Sequence, residues 1–501
     1  MTIYRRAIIL FAISIITSCV VGPNYKPPPT IVPHAFKEAQ GKTVVGKKHQ
    51  GWKEAHPQDE RDRGPWWTVF NDPTLNKLED CLNLSNQSIQ TAYANYVQAR
   101  ALVDQARAAY FPIVSITETA SRAKKAGASL FPGTFGGQVS SSGGAGGSSS
   151  QTSTSHSVIL NGTWQPDLWG LVRRTVESNV ANAEASAALL ANTRLSMQGT
   201  LAQTYFELRA LDTDQIILNK TVQGYKKSLQ LSRNQYQSGV ASRAAILQAQ
   251  SALEASQSQA INNHISRQIY EHAIAVLIGH APADFNLSEK PLRHRPPPIP
   301  VVIPSELLER RPDIAQAERL MAAANAEIGV AIAAYFPSIA LSGNVSNIGF
   351  GTLGSAWGWA IGQQGMETIF NGGLFAANVR SARAAYNSAI ASYRQTVLTA
   401  FQNVEDNLVN LRILADEAIV QDQAEITAKK SLQLTRNQYK SGIVAYANVI
   451  AAQITALTAE KNAADITGQR MTAAVALIMA LGGGWNAHCI EKYGYHSIFQ
   501  S

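Results

Sequence analysis

Two hydrophobic periods divide this chain between strands and very long helices. Through residues 338–348 apolar and polar positions alternate, with Ile339, Leu341 and Val345 on one face and Ser338, Ser342, Asn344 and Ser346 on the other. Val158, Leu160 and Trp164 against Asn161, Thr163 and Gln165 repeat the pattern earlier. A period of two with one apolar and one polar face predicts strands lying between hydrocarbon and water. Residues 113–122 and 356–369 are the weaker partners, and Trp357 and Trp359 in the latter suit a membrane interface. Elsewhere the period lengthens. Val397, Phe401, Val404, Leu408, Leu411, Ala415 and Ala418 follow spacings of four and three in turn, a heptad seam, and Leu201, Tyr205 and Leu208 hold matching places upstream.

Prolines sharpen the boundaries. All 20 lie outside residues 167–281 and 338–501, and a proline inside a helix costs about 3 kcal/mol. Each of these stretches predicts a helix of roughly 65 residues, a reversal, and a second helix of roughly 38. At about 1.5 Å per residue the longer one approaches 100 Å, far beyond a globular core. Helices of that length pack side by side in a bundle or tube.

The two halves are copies. KKSLQLSRNQYQSGV at 226–240 and KKSLQLTRNQYKSGI at 429–443 agree at 12 of 15 positions, with an offset of 203 that also carries Gly170 onto Gly373 and Gly279 onto Gly482. AAYFP occurs at 108–112 and again at 333–337 with an offset of 225, so the first copy carries 22 extra residues between Pro112 and Gly170. That insertion falls in residues 127–157, which include SSSGGAGGSSS at 140–150 and read as a flexible hairpin loop between two strands. Gly239 and Gly442 sit where each long helix must stop and reverse, because glycine takes the left-handed C-terminal conformation cheaply.

Four strands cannot close a barrel. An open edge in lipid leaves backbone groups unsatisfied at several kcal/mol each, so other copies must supply the rest, and three copies supply twelve strands. The chain therefore divides into residues 1–18, a signal segment; 19–74, an extended arm docking at Trp66, Trp67 and Phe70; 75–281, the first repeat; 282–305, a proline-rich linker; 306–483, the second repeat; and 484–501, a tail containing Cys489 whose role the sequence leaves open.

Composition then narrows the function. The formal charge is +8, from 43 Lys and Arg against 35 Asp and Glu; the basic residues come in scattered pairs rather than runs, which argues against nucleic acid as a partner. Arg5 and Arg6 precede a ten-residue apolar core that ends at Ile16-Thr17-Ser18-Cys19. This is too short to span a bilayer and reads as a secretion signal. Gly349-x-Gly351-x-x-Gly354 lies between two predicted strands with no helix opening after it, so it is no dinucleotide fingerprint. His264 and His272 stand two turns apart on one helix, a spacing that favours solvation or packing over metal ligation. No Walker A, HExxH, paired CxxC or GxSxG occurs. The reading is a non-enzyme without cofactor.

Several stretches resemble the TolC-like outer-membrane factors across nearly the whole mature chain: WWTVFNDPTL at 66–75, WQPDLWG at 164–170, LLERRPDIAQAERLMAAANAEIGVAIAAYFPSIALSG at 307–343, and the two QYxSG turns. CVVGPNYKPP at 19–28 resembles the NodT-type lipoprotein branch, with Cys19 acylated and sorted to the outer membrane because Val20, not Asp, follows it. The resemblance implies an α+β membrane protein: a homotrimer with a twelve-stranded outer-membrane barrel continued by a helical tube through the periplasm. It would be the exit duct of a tripartite efflux system, passively conducting drugs or other small molecules. A periplasmic adaptor would seat on the tips at Gly239 and Gly442, and an inner-membrane pump would supply energy. Export of protein or metal, or a non-pore periplasmic lipoprotein, stays open as an alternative. The family's acidic ring does not transfer, since Ala451 stands before Ala452-Gln453 and Gln248 before Ala249-Gln250. Arg436 and Tyr439 remain as aperture candidates.

Overall fold

A computed structural model describes residues 20–29, 32–33, 36–39, 65–125, 151–292, 296–297, 299, 307–308, 310–350 and 354–483. The signal segment, Cys19, the loop around 140–150, most of the linker and the tail with Cys489 lie outside these residues. Along the chain run α1 (Pro73–Ser85), α2 (Gln87–Ala108), β1 (Ile113–Lys125), β2 (Gln151–Trp164), α3 (Leu171–Gln237), α4 (Arg243–Leu277), α5 (Pro312–Ala333), β3 (Ser338–Phe350), β4 (Ser355–Met366), α6 (Leu374–Lys440) and α7 (Tyr446–Ala480). The long helices have 67 residues in both copies and the returning ones 35. Strand β4 ends at Met366, three residues before the predicted Ile369, where the chain turns toward two positive-φ glycines, Gly372 and Gly373.

The chain divides into two compact units, each drawing on both repeats: Met1–Tyr25 with Ala101–Val180 and Ala323–Tyr386, and Lys26–Arg100 with Ala181–Ala322 and Asn387–Ser501. In the first, the strands form one antiparallel sheet in the order β1-β2-β3-β4. Its register aligns single rows across all four strands. Ile116 pairs with Leu160, Leu160 with Val345, and Val345 with Trp359. The neighbouring row runs Ser115, Asn161, Asn344, Ala360. Since side chains alternate faces along a strand, one face is apolar and aromatic and the other small and polar. Ile116, Trp357, Trp359 and Ile361 are exposed. Among the described residues β1 pairs only with β2 and β4 only with β3, so both edges are unpaired there.

The residues that follow Cys19 are fixed in this first unit. Arg174, nearly fully buried, donates from Nε to Val21 O at 3.1 Å and from Nη2 to Gly22 O and Asn24 Oδ1 at 3.2 and 3.0 Å. Asn325 Nδ2 donates to Pro23 O at 3.0 Å, and Val21 N to Trp169 O at 3.2 Å. Gly22, at φ +95, lies so close that a Cβ there would stand 2.5 Å from Gly329 Cα. Only glycine fits both that backbone conformation and that gap.

The second unit is helical. Its core gathers Trp66, Trp67 and Phe70 with Leu75 and Leu82 of α1, Leu201, Tyr205, Phe206 and Leu208 of α3, Ile274 of α4 and Met471 of α7. Phe70 meets Phe206 with ring centroids 4.9 Å apart and planes tilted by 51°, and Trp66 Nε1 donates to Gln198 Oε1 at 3.2 Å. Asp72 caps α1 through the amides of Thr74 and Leu75, and its other oxygen accepts from Tyr205 at 2.6 Å. Helices α3 and α7 run antiparallel in close contact. A Cβ at Gly199 would overlap Met479, one at Gly468 would stand 2.9 Å from Ala210 Cβ, and one at Gly224 would stand 3.1 Å from Gln453 Nε2. Between the last two contacts, Asp214 faces Lys461 at 3.6 Å. The glycines thus bring helices from different repeats together along one seam.

Candidate functional site at the helix tips

Both long helices end in the same motif. Gly239 N–H donates to Tyr236 O and Val240 N–H to Gln235 O, each at 2.9 Å; Gly442 N–H donates to Tyr439 O at 3.0 Å and Ile443 N–H to Gln438 O at 2.9 Å. These paired bonds are the Schellman arrangement, which requires a left-handed residue at the position after the cap. Gly239 and Gly442 both have φ +75 and open space around them. The turn chemistry is identical in the two copies.

The two tips converge. Leu229, Ala249, Tyr439, Tyr446 and Val449 form one buried cluster drawn from α3, α4, α6 and α7. Tyr439 donates its hydroxyl to Gln235 Oε1 and lies 5.3 Å from the Tyr446 ring at a tilt of 55°. Burial raises the phenols of Tyr225 and Tyr446, and the Arg436 charge pulls both back. Arg436 Nη2 lies 3.6 Å from where a Cβ on Gly224 would be. Ala451 and Gln248 are exposed. Of the candidate aperture residues, then, Tyr439 and Arg436 join the tips of the two repeats, whereas Ala451 is an exposed residue of α7.

Two contributors escaped the sequence reading. Gln235 lies within the QYxSG motif itself, and its recurrence as Gln438 was the available signal. Gly224 has none of the usual marks of a turn; a glycine amid a long predicted helix signals close approach of a neighbour.

Comparison with known proteins places this architecture. The family described as outer membrane efflux protein matches residues 81–280 and 303–483. The chain belongs to that family. Among outer membrane efflux proteins it is 30% identical over 435 residues to the pyoverdine export outer membrane protein OpmQ of Pseudomonas aeruginosa, covering 86% of this chain and 89% of the relative. Against the toluene efflux pump outer membrane protein TtgC of Pseudomonas putida the identity is 28% over 488 residues, 94% of each chain. The solved structure of the outer-membrane channel OprN superposes with a TM-score of 0.77 at 27% identity, covering 93% of this chain and all of that one. The outer membrane efflux fold, a small sheet joined to very long helices, is therefore the fold of this chain, and its family is one of channels. Among the described residues, no helix is long and apolar enough to cross a membrane and no group of His, Cys, Asp or Glu is arranged to hold a metal.

Proposed function

We propose that three copies of this chain close a twelve-stranded barrel in the outer membrane, continue it as a helical tube in the periplasm, and act as the passive exit duct of a tripartite efflux system for small molecules. The carrying observation is the four-stranded sheet with one apolar face, one polar face and two unpaired edges. Unpaired edges are untenable in hydrocarbon, and copies of the same chain supply the missing partners. The tips at Gly239 and Gly442 would seat a periplasmic adaptor, with energy supplied by an inner-membrane pump. Cys19 would carry acyl chains in the outer membrane; the clamp of Arg174 on residues 21–24 holds the chain only a few residues away, so the anchor would be tethered at the sheet-bearing unit. Arg436, Tyr439 and Ala451 would border the aperture.

The test is the mass of the purified chain in mild detergent, together with conductance in planar bilayers. Three times the chain mass and discrete channel openings are the expected results. A monomer that binds lipid without conducting would overturn the duct in favour of a structural lipoprotein. Tyr439→Phe removes the hydroxyl that joins the two tips. Conductance unchanged by that substitution would remove Tyr439 from the aperture.

A further inference from the structure

Charge is distributed unevenly along this chain, and the fold gathers the excess at one place. Residues 226–250 and 429–453, which form the two tips, contain Lys226, Lys227, Arg233, Arg243, Lys429, Lys430, Arg436 and Lys440 and no aspartate or glutamate. Setting those eight aside leaves 35 basic residues against 35 acidic ones in the rest of the chain. The entire net charge of +8 therefore sits at the tips. All eight side chains are exposed except Arg436, which is half-buried. Of these eight, all among the described residues, only Lys429 is ion-paired, to Glu425 at 2.6 Å and Glu460 at 3.1 Å.

Helix capping does not account for this. Cations favour helix C-termini, which suits Arg233, Arg436 and Lys440 near the ends of α3 and α6. The same rule asks for acidic residues in the first turns of α4 and α7, and neither has one; Arg243 instead opens α4. Nor does the helix dipole cancel the charge, since each tip joins one C-terminus to one N-terminus. Four of the cations, Arg233, Arg243, Arg436 and Lys440, lie within about two helical turns of Gly239 or Gly442, roughly 10 Å, comparable to the screening length at about 0.1 M salt.

We propose that the tips form an electropositive vestibule that makes the duct anion-selective at its periplasmic mouth and favours cargo carrying carboxylate, phosphate or similar negative charge. This rests on the reading above that the tips ring the entrance. Charges lining such a mouth raise the local concentration of counter-ions, and no carboxylate at Ala451 or Gln248 opposes them.

The experiment is the reversal potential of the full chain in a planar bilayer under a KCl gradient at low ionic strength. Chloride should permeate about threefold or more over potassium, and the preference should shrink as the mean salt concentration rises. Substituting Lys227, Arg233, Arg243 and Lys440 by Gln should bring the permeability ratio to about one, with helix content checked by circular dichroism. Should that variant fail to fold, Lys440→Glu serves in its place, because the matching position of the first copy already carries Gln237; it should lower the ratio. A potassium preference, or a chloride preference indifferent to these substitutions, would overturn the vestibule while leaving the duct intact. Absence of any conductance would overturn the duct itself, and the vestibule with it.

Discussion

The two repeats share a scaffold and use it differently. Arg209 and Arg267 of the first copy correspond to Arg412 and Arg470 of the second, but the carboxylates between them do not recur: Asp212 and Glu271 become Ala415 and Ala474. In the first copy the set is buried and closed. Asp212 accepts from Arg209 and Arg267, each at 2.8 Å, Glu271 pairs with Arg267 at 2.7 Å, and the four groups hold the departing chain through Leu287, Ser288 and Lys290. In the second copy Arg412 reaches Glu38 of the N-terminal arm at 2.5 Å, while Glu405 accepts the amides of Lys37 and Glu38 at 2.7 and 3.0 Å. Duplication supplied the arginines; divergence decided which passing segment each copy would grip. A buried ionic cluster is not itself strong evidence for stability, but breaking one by removing a partner is costly.

The largest effect should therefore come from Asp212→Ala, which leaves the buried Arg209 guanidinium without its carboxylate and Arg267 with Glu271 as its remaining close partner. A loss of about 3–5 kcal/mol is expected, against about 1 kcal/mol or less for Arg412→Ala, whose pair is partly exposed. Thermal melting of both variants in mild detergent checks the contrast, and equal losses would erase the distinction between the copies. Next comes a reciprocal swap on the returning helices. Gly468 faces Ala210 on the α3–α7 seam, while its counterpart Ile265 is exposed. Gly468→Ile should cost about 1–3 kcal/mol or more by overpacking, and Ile265→Gly about 1 kcal/mol through helix propensity alone.

Where the copies agree, matched variants should agree too. Gly239→Ala and Gly442→Ala each place a Cβ in the left-handed region and should cost about 1–2 kcal/mol apiece, with melting temperatures lowered equally. A pH effect probes the contact between the copies. Burial pushes Asp214 up to about 6, Asp465 adds to the rise, and Lys461 works against it. The folded chain thus holds this proton more tightly than the unfolded one, where the carboxyl ionises near 3.9. Stability gained by protonation is full below about pH 4 and lost as pH rises through about 6. Asp214→Asn should flatten that decline, melting above the wild type at neutral pH and level with it in acid. The first copy carries the acid and the second the lysine, so this term belongs to the contact between them rather than to either alone.

Much of the fold was legible because the patterns are long. A heptad seam from Val397 to Ala418 and two proline-free stretches suffice for helices of 67 residues, and the alternation around Val345 and Leu160 suffices for strands whose register then aligned in rows. Arg436 and Tyr439 were legible as tip residues from the repeated motif. Their contacts were not: Gln235 as the Tyr439 partner, Gly224 beside Arg436 and Gln453, and the close passage of Gly199 and Gly468 all depend on which helices become neighbours.

Charge shows the same division. Along the chain the basic residues read as scattered pairs separated by some 200 positions, with nothing to mark them as one feature. By itself the sequence determined the elements, the duplication, the turn glycines and the family, because period, propensity and left-handed backbone preference act over a few neighbouring residues. Only the tertiary structure decided that the two tips meet, that α3 packs on α7 across the repeats, and that all the net charge gathers in one place. Those facts depend on side chains close in space and distant in sequence, and no local preference encodes such distances.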